Sequence, residues 1–371
     1  MTLPYSGIKI RGSASLLGPI FLALFKTFLA KMRGETSSIG VDVGHKSVKA
    51  VKIFHGSKKS KLIDRVEIPL DEGVLVDGEI NQPEVLGGKI LDVLDLLKFD
   101  KSFDDIYFSI SWSSGILADR VNLKFPKGSD EEEVILFEAG NRPPFDEKDI
   151  TLDYQILHEE EGKENKEVLL VAAKNALLQK WARFLDTYDI HPIAFDVDAF
   201  SIYNTFLHTC KEEDNSKAVG LLNVGHQRAS ISFVVDGNYH STRVISGSVV
   251  QDMVKSLARK LNINSSDAME MLFGKVTLTS QAENAIQSMI VDLARGVQQA
   301  NQFFQSTSKG RTLDKLVLSG GGSFIVNTET ILSSELNEME IELMDFLPSE
   351  GEEVPQGPIY AVAYGLAMRN G

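Results

Sequence analysis

Asp42 and Asn223 each end an alternating apolar stretch, and each is followed by valine, glycine and histidine. A glycine at a strand end lets the main chain approach a ligand without a Cβ atom in the way. Backbone N–H groups that point into such a turn bind phosphate oxygens. Each turn is also compatible with an ordinary surface hairpin, so neither alone identifies a phosphate site.

A third glycine turn lies in the stretch LDKLVLSGGGSFI. Its apolar residues predict a strand that ends at three successive glycines, Gly320 to Gly322, before a helix start. Taken alone, this turn could be a flexible connection. Three such turns in one chain favour the binding of a phosphate-containing ligand.

Strands must hold the first two turns in place. IGVDVGHKSVKAVKI alternates on both sides of Gly44, which predicts two strands joined by a tight turn. A carboxylate inside such a strand is costly unless it is paired or faces a cleft. GLLNVGHQRASISFVVDGNYHSTRVI repeats the layout about half a chain later, and a third strand follows in each copy. The repeat predicts a duplication, and therefore two related lobes.

The segment between the two copies has a different pattern of apolar and polar residues. In chain order it predicts the strands DIYFSIS and ADRVNLKF, the helix SDEEEVILFEAGN, the strands ITLDYQIL and EVLLVAAK, the helix ALLQKWARFLDTYDI and the strand PIAFDVD. Ser129 or Asp130 caps the first helix, and Pro143 and Pro144 stop it. This order predicts a small α+β subdomain whose last strand returns to the sheet of the first lobe.

Two helices are predicted after the second copy. The first is SGSVVQDMVKSLARKLNI, and the second runs from about Gln281 to Ser308. Apolar residues at helical spacing predict that the second helix packs against a core through Ile286, Met289, Ile290, Leu293, Ala294, Val297, Ala300, Phe303 and Phe304.

Length and charge limit the classes of protein. A chain of 371 residues exceeds the size of most single cores, so two lobes are expected. The net charge of -14 argues against nucleic-acid binding, which needs a basic surface. The single cysteine, Cys210, excludes an internal disulfide and favours a reducing compartment. No Cys/His cluster has the spacing of a zinc site.

The first 36 residues form an N-terminal extension of different composition. Its apolar run, Leu16 to Phe25, is too short to cross a bilayer, which takes about 20 residues. Residues 15–33 predict an amphipathic helix that contacts a membrane surface or a partner protein. A signal peptide, an ordinary packed helix and a true start at Met32 are the alternatives. The apolar face would consist of Ile20, Phe21, Leu24, Phe25, Phe28, Leu29 and Met32.

Two hairpin tips followed by a strand and three glycines resemble the signature of the actin-like ATPase superfamily. That resemblance implies ATP and Mg²⁺ in a cleft between the lobes, with Asp42 facing the metal through water. It implies these nucleotide-binding residues: Asp42, Gly44, His45, Lys46, Ser47 and Lys49 in the first turn, Asn223, Gly225, His226 and Gln227 in the second, and Gly320, Gly321, Gly322 and Ser323 beside the adenosine. Lys49 could equally be a solvated strand residue. GPIYAVAYGLAMR resembles the superfamily's final helix.

Two departures from the superfamily pattern concern catalysis. Asn223 replaces the aspartate that usually opens the second turn, which removes a charge and weakens metal binding. Arg228 replaces a small hydroxyl residue of that turn. Asp198 is the candidate catalytic residue that would orient water, and it is equally well placed to cap a helix. The expectation is nucleotide binding with weak or absent hydrolysis.

The run EAGNRPPFDEKDITLDYQIL, followed by EVLLVAAKNALLQKWARFLDTYDIHPIAFDVDAFSI, resembles the PilM family of type IV pilus assembly proteins over roughly Ser38 to Arg369. FtsA is similar in architecture, but FtsA has a C-terminal membrane helix. No such helix is expected after Arg369 in this sequence. The resemblance to PilM implies an ATP-binding adaptor at the cytoplasmic face of the inner membrane, within the machinery of twitching motility. It implies that the adaptor binds the cytoplasmic N-terminal tail of a PilN-like membrane protein and links it to the pilus motor ATPases and platform proteins.

The tail would be an extended peptide in a groove between the first lobe and the inserted subdomain. Strand edges within Asp104 to Leu157 could accept it by strand addition. The aromatic candidates for lining the groove are Trp112, Phe125, Phe145 and Tyr154, although each is also a suitable core residue.

The predicted fold class is α/β, an actin-like ATPase fold with two duplicated mixed-sheet lobes, a nucleotide cleft and an inserted small α+β subdomain. The expected boundaries are 1–36 for the extension, 37–102, 190–217 and 355–371 for the first lobe, 103–189 for the subdomain and 218–354 for the second lobe. Two other functions remain open. One is an actin-like or kinase-type ATPase with real turnover, and the other is a nucleotide-free scaffold of a related secretion platform.

Overall fold

The computed structural model describes residues 36–56, 60–76, 78–111, 115–141, 149–159, 164–346 and 357–370. The predicted amphipathic helix, and Trp112 and Phe145, lie outside the described residues. The chain divides into two units. The second unit consists of residues 44–46 and 205–361, and the first unit consists of the other described residues.

The first unit contains the described residues of 36–43, 47–204 and 362–370. Its strands are β1 (Thr36–Val43), β2 (Ser47–His55), β3 (Ser60–Pro69), β4 (Leu75–Val76), β5 (Glu79–Ile80), β6 (Asp104–Ile110), β7 (Ile116–Lys124), β8 (Ile150–Glu159), β9 (Asn165–Lys174) and β10 (Ala194–Val197). Its helices are α1 (Pro83–Leu96), α2 (Glu131–Gly140), α3 (Asn175–Asp186) and the beginning of α4 (Asp198–Thr209).

The main sheet of the first unit has the strand order β10-β6-β1-β2-β3. β1, β2 and β3 form the predicted antiparallel meander, and β6 and β10 extend the sheet in parallel from β1. Ile39, Val41 and Val43 are buried, in agreement with the alternation that predicted β1. β6 falls in the segment that was expected to form the inserted subdomain, yet it is an inner strand of this sheet.

A separate three-stranded antiparallel sheet has the order β7-β9-β8. α2 begins after Asp130, whose side chain accepts hydrogen bonds from the backbone N–H groups of Glu132 and Glu133. Phe125 and Ile135 are buried in the small core between α2 and the sheet, and Tyr154 packs against that core. Of the aromatic residues predicted to line a peptide groove, Phe125 is therefore a core residue.

The second unit is built on the other five-stranded sheet. Its strands are β11 (Ala218–Val224), β12 (Ala229–Val235), β13 (Asn238–Ile245), β14 (Lys315–Ser319) and β15 (Glu340–Leu343). Its helices are α5 (Val250–Leu261), α6 (Ser265–Leu272), α7 (Ser280–Thr307) and α8 (Thr328–Glu335), and α9 (Gly357–Ala367) continues into the first unit. Short 3₁₀ helices span Glu212–Ser216 and Gly321–Phe324 in this unit, and Met368–Asn370 in the first unit.

The two main sheets have the same topology. The order β13-β12-β11-β14-β15 repeats β3-β2-β1-β6-β10, with an antiparallel meander followed by two parallel strands in each case. Both meanders also contain a register shift between the second and third strands, at Lys52/Ile53 and at Phe233/Val234. The duplication predicted from the two turns therefore extends over five strands.

α7 packs against the core of the second unit through the predicted stripe, from Ile286 to Phe304. Phe303 is an exception, because 42% of it is exposed. The guanidinium carbon of Arg243 lies 3.5 Å from the centroid of the Phe303 ring, so this phenylalanine stacks with a cation at the surface. Within the described ranges, no helix has both the length and the apolar composition needed to cross a bilayer.

Candidate functional site

Asp42 lies at the end of β1 and is partly buried. The Oγ atom of Ser109 on the neighbouring strand β6 donates a hydrogen bond to its Oδ1 atom at 2.9 Å. Burial raises the pKa of the Asp42 carboxyl, and the positive charge of Lys49 and the bond from Ser109 oppose that rise. β1 therefore carries a carboxyl group whose ionisation is unfavourable while no ligand is bound.

Lys49 is the cross-strand neighbour of Asp42 in β2. Its Nζ atom lies 3.8 Å from a carboxylate oxygen of Glu67 on β3, and its positive charge also lowers the pKa of Asp42. Ser47, at the start of β2, is buried, whereas Lys46 in the turn is exposed. Of the residues predicted for this turn, Asp42, Ser47 and Lys49 belong to the first unit.

A second buried carboxyl lies on the next strand. Asp196 of β10 pairs with Ser109 in the parallel register, and a guanidinium nitrogen of Arg369 lies 3.2 Å from its Oδ2 atom. The same guanidinium lies 5.9 Å from the centroid of the Tyr107 ring. Burial raises the pKa of Asp196, although the charge of Arg369 lowers it. The ends of β1, β6 and β10 thus bring together a polar row of Asp42, Ser109 and Asp196.

In the second unit, Asn223 of β11 pairs with Ser319 of β14 in the parallel register. The chain leaves β14 through Gly320, which has a φ of 79° and donates its N–H to the carbonyl oxygen of Pro358 at 2.9 Å. A Cβ atom on Gly320 would overlap the Oδ1 atom of Asn223 and would lie 2.6 Å from the carbonyl oxygen of Val224. Only glycine allows this close approach at a left-handed φ.

The rest of the triple-glycine turn is also closely packed. A Cβ atom on Gly322 would lie 2.8 Å from the Cβ atom of Val224, whereas one on Gly321 would project into open space. The hydroxyl of Ser323 donates to the carbonyl oxygen of Gly320 at 2.7 Å and closes the turn. The second predicted hairpin and the triple-glycine turn are therefore adjacent.

The turn between β11 and β12 is held from both sides. The N–H of Gly225 donates to the carbonyl oxygen of Arg228 at 2.8 Å. At the start of α5, the N–H groups of Val250 and Gln251 donate to the carbonyl oxygens of Gly225 and His226, at 3.2 and 2.9 Å. Because α5 is anchored to the turn, the position of His226 is set by backbone contacts.

The imidazole of His226 is partly buried among positive charges. Burial, together with the charges of Lys46, His45 and Lys255, lowers its pKa to about 4. His45 and Lys46 come from the turn after β1, which is grouped with the second unit, and Lys255 comes from α5. These basic residues act on one imidazole in a chain whose net charge is -14.

Asp198, the predicted water-orienting residue, is the first residue of α4 and is partly buried. Its Oδ1 atom accepts the backbone N–H of Ala199 at 2.7 Å. The carboxylate thus serves the start of its own helix. The other aspartate of the FDVD stretch, Asp196, is the one that lies beside Ser109.

Sequence reasoning missed four residues of these surroundings: Ser109, Asp196, Lys255 and Pro358. Ser109 is a polar residue near the end of the apolar strand β6, and that position was a usable signal. Asp196 belongs to the stretch in which Asp198 was chosen instead. Lys255 lies on an exposed helix face and Pro358 contributes a backbone oxygen, so neither had a signal in the sequence.

Comparisons with known proteins agree with this architecture. A sequence profile described as "Type IV pilus assembly protein PilM" matches residues 40–371. No curated protein sequence matches the chain.

Two solved structures show the similarity of the fold. The PilM-PilN type IV pilus biogenesis complex has a TM-score of 0.74 at 20% identity, over 90% of this chain and 98% of that chain. The ethanolamine utilization protein EutJ from Carboxydothermus hydrogenoformans has a TM-score of 0.54 at 10% identity, over 90% of this chain and 89% of that chain. The predicted actin-like ATPase fold is confirmed.

The profile match begins inside β1, at the strand that carries Asp42, and continues to the last residue. It therefore includes both glycine hairpins, the three-stranded sheet and the triple-glycine turn. The chain belongs to the PilM family of type IV pilus assembly proteins.

Proposed function

We propose that this chain is an ATP-binding adaptor of type IV pilus assembly that binds the N-terminal tail of a PilN-like membrane protein. The observation that carries the nucleotide part is the packing of the Gly320 turn against Asn223 and Val224. It joins two of the three turns in which glycine and backbone N–H groups favour phosphate binding.

The residues present fit a nucleotide in two further respects. The cluster of His45, Lys46, His226 and Lys255 supplies positive charge for a polyphosphate. Asp42 supplies one carboxyl group at the end of a parallel strand, the edge at which open α/β sheets bind ligands.

The fit to Mg²⁺ rests on Asp42 alone. Among the described residues, no group of three or more His, Cys, Asp or Glu side chains is arranged to hold a metal ion. Magnesium keeps much of its water and is commonly bound through one or two carboxylates together with substrate phosphates. One carboxyl that acts through water is therefore sufficient for a nucleotide-bound ion.

The site favours binding over rapid hydrolysis. Asn223 is neutral where a second carboxylate would support a metal or an attacking water. Asp198 accepts a hydrogen bond from its own helix. We therefore assign the nucleotide a regulatory or structural role in the adaptor.

The partner part of the proposal is supported by the similarity to the PilM-PilN complex. This chain offers β7 and β8 as the edge strands of its three-stranded sheet, and an extended peptide can add to such an edge. Tyr154 lies on β8 and is only partly buried. A PilN-like partner would hold the adaptor at the cytoplasmic face of the inner membrane, where the motor ATPases and platform proteins are its proposed further partners.

The nucleotide part is tested by thermal unfolding with and without Mg-ATP, together with phosphate release. Ligand at about 100 times its dissociation constant adds roughly 2.7 kcal/mol to the free energy of unfolding. We expect a clear rise in Tm and phosphate release close to background. An unchanged Tm at millimolar Mg-ATP would favour a nucleotide-free scaffold, and fast phosphate release would favour an enzyme.

The partner part is tested with a fluorescent peptide that carries the cytoplasmic N-terminal sequence of a PilN-like membrane protein. We expect saturable anisotropy with the full chain and no signal with a scrambled peptide of the same composition. Equal binding of both peptides would show charge attraction only and would contradict the proposal.

A further inference from the structure

Arg243 on β13 is a partly buried cation without a counter-ion among the described residues. Its Nε atom is enclosed and has no hydrogen-bond acceptor there. Arg295 of the same unit, by contrast, lies 2.7 Å from Asp292. A buried charge is costly unless it is paired, and this chain has a net charge of -14 from which a carboxylate partner could have come.

The guanidinium of Arg243 stacks on an aromatic ring instead. Its carbon atom lies 3.5 Å from the centroid of the Phe303 ring on α7, and 42% of Phe303 is exposed. Stacking uses the flat face of the guanidinium and leaves the N–H groups at its edge for hydrogen bonds. The enclosed atom is Nε, so the two terminal amino groups form the outer edge of the fork. Such an edge matches the two oxygens of a carboxylate.

The strand that carries Arg243 lies at the edge of a sheet. In the order β13-β12-β11-β14-β15, β13 pairs with β12 on one side and with no described strand on the other. An edge strand presents a row of backbone N–H and C=O groups on its open side. An extended segment of another chain can add to such an edge through main-chain hydrogen bonds.

The two faces of β13 differ in character near this edge. A Cβ atom on Gly296 of α7 would lie 2.5 Å from a methyl carbon of Ile245, so Ile245 faces α7. Arg243 lies two residues before Ile245 and therefore shares its face. Val244 points to the opposite face, and 55% of it is exposed. The edge thus presents a stacked cation on one face and an apolar side chain on the other.

We propose that the edge of β13 binds an extended acidic segment of a partner protein, with a carboxylate opposite Arg243 and an apolar side chain opposite Val244. Opposite charges and apolar side chains are the cross-strand pairs that stabilise antiparallel neighbours. A small anion would use Arg243 alone, whereas a peptide also uses Val244 and the open backbone groups. The acidic and apolar residues of the partner would be adjacent in its sequence.

This surface goes beyond the proposed function. β13 belongs to the second unit, whereas the strand edges proposed for the PilN-like tail, β7 and β8, belong to the first. The inference also needs no nucleotide, because Arg243, Val244 and Phe303 are separate from the glycine turns in the sequence. It therefore stands or falls independently of Mg-ATP binding.

The probe is a phage-displayed library of random peptides of about nine residues, long enough to span β13. The library is selected on the full chain and depleted on Arg243→Gln. We expect selected peptides to be enriched in aspartate or glutamate next to valine, isoleucine or leucine. Fluorescent synthetic copies should bind the unmodified protein, with Kd at least about tenfold higher for Arg243→Gln and for a peptide that carries the amide in place of the acid.

Two variants test the geometry around the cation. Arg295→Gln removes the same charge where a carboxylate is already present, so it should leave Kd unchanged. Phe303→Leu removes the stacked ring and keeps an apolar side chain, and it should raise Kd about two- to fivefold. A Tm within a few degrees of the unmodified protein checks the folding of each variant, and the amide peptide tests the charge without any change to the protein.

Methylation of alternate backbone nitrogens in the selected peptide tests strand addition. One set of nitrogens faces β13 and the other faces away, so one methylated peptide should lose binding and the other should retain it. Equal behaviour of the two methylated peptides overturns strand addition. A selection that yields no peptides, no enrichment of acidic residues, or peptides that bind folded Arg243→Gln equally well overturns the proposal. Dimerisation of the chain that disappears in Arg243→Gln, measured by sedimentation, would show that a second copy occupies the edge instead.

Discussion

The side chain of Asn223 occupies the space into which a Cβ atom on Gly320 would project. The two residues are 97 positions apart, and they meet because Asn223 pairs with Ser319, the last residue of the parallel strand β14. The φ of 79° at Gly320 turns the chain sharply over the end of β11. The contact therefore depends on glycine for both its backbone conformation and its lack of a side chain.

Replacing Gly320 with alanine should destabilise the protein and abolish the Tm increase with Mg-ATP. A non-glycine residue at such a φ costs about 1–3 kcal/mol, and the overlap with Asn223 adds to this. Urea unfolding measures the loss of stability. Gly321→Ala is the matched control, because its Cβ atom meets open space and the change should be nearly neutral. Similar losses in both variants would show that the close approach at Gly320 has no special role.

Replacing Asp42 with asparagine should stabilise the nucleotide-free protein at pH 7 and reduce the Tm increase with Mg-ATP. Burial raises the pKa of Asp42, so the unmodified protein has its full stability only below the ordinary carboxyl value and loses some as pH rises through the raised pKa. The asparagine has no such loss. Its advantage should be largest at neutral pH and disappear in acid, as measured by Tm from pH 4 to 8.

Asparagine also keeps an oxygen acceptor for the Ser109 hydroxyl, so the comparison isolates the charge. A variant with unchanged stability at pH 7 and an unchanged response to Mg-ATP would contradict the placement of Asp42 in the site.

Replacing Asp196 with alanine should cost about 3–5 kcal/mol of stability, because it leaves the guanidinium of Arg369 buried without its carboxylate. Both side chains are almost fully buried, with 1% and 3% of their surfaces exposed. Urea unfolding measures the cost. Asp292→Ala is the comparison, since this residue forms an exposed pair with Arg295 and should cost at most about 1 kcal/mol. A cost for Asp196→Ala as small as that for Asp292→Ala would show that water reaches Arg369.

Replacing Lys315 with methionine should destabilise the second unit by about 3–5 kcal/mol. The ammonium group is fully buried and lies 2.7 Å from Glu342, 3.1 Å from Asp214 and 3.4 Å from Glu340. Methionine preserves much of the length but leaves these carboxylates without their shared cation. Chemical denaturation measures the loss, and Lys275→Met at an exposed position should change little.

The same network gives the Lys315 variant a characteristic pH dependence. Burial alone would raise the pKa of Asp214 and Glu342, but hydrogen bonds from Lys217 to Asp214, Lys211 to Glu342 and Lys315 to both outweigh it and lower both values. Their contribution to stability is present above the ordinary carboxyl pKa and is lost as pH falls through the lowered values. Lys315→Met should therefore lose less stability than the unmodified protein between pH 5 and 3. A parallel loss would argue that the carboxylates do not depend on Lys315.

The sequence by itself predicted the family, the two glycine hairpins and the triple-glycine turn. These features are local, because a period of two residues identifies a strand and glycine identifies the turn after it. The repeat of Asp-Val-Gly-His as Asn-Val-Gly-His was enough to predict a duplication of the first three strands. The neutral residue in the second copy was equally visible, and with it the expectation of weak hydrolysis.

Only the tertiary structure decided which strands lie beside those hairpins. Periodicity shows the faces of a strand but not its neighbour in the sheet, which long-range packing sets. Thus β6 became an inner strand of the first sheet and brought Ser109 to Asp42, 67 positions away in the chain. The pairing of Asp196 with Ser109, and the basic neighbours of His226, were decided in the same way, because burial and charge at one residue depend on elements that are distant in the sequence.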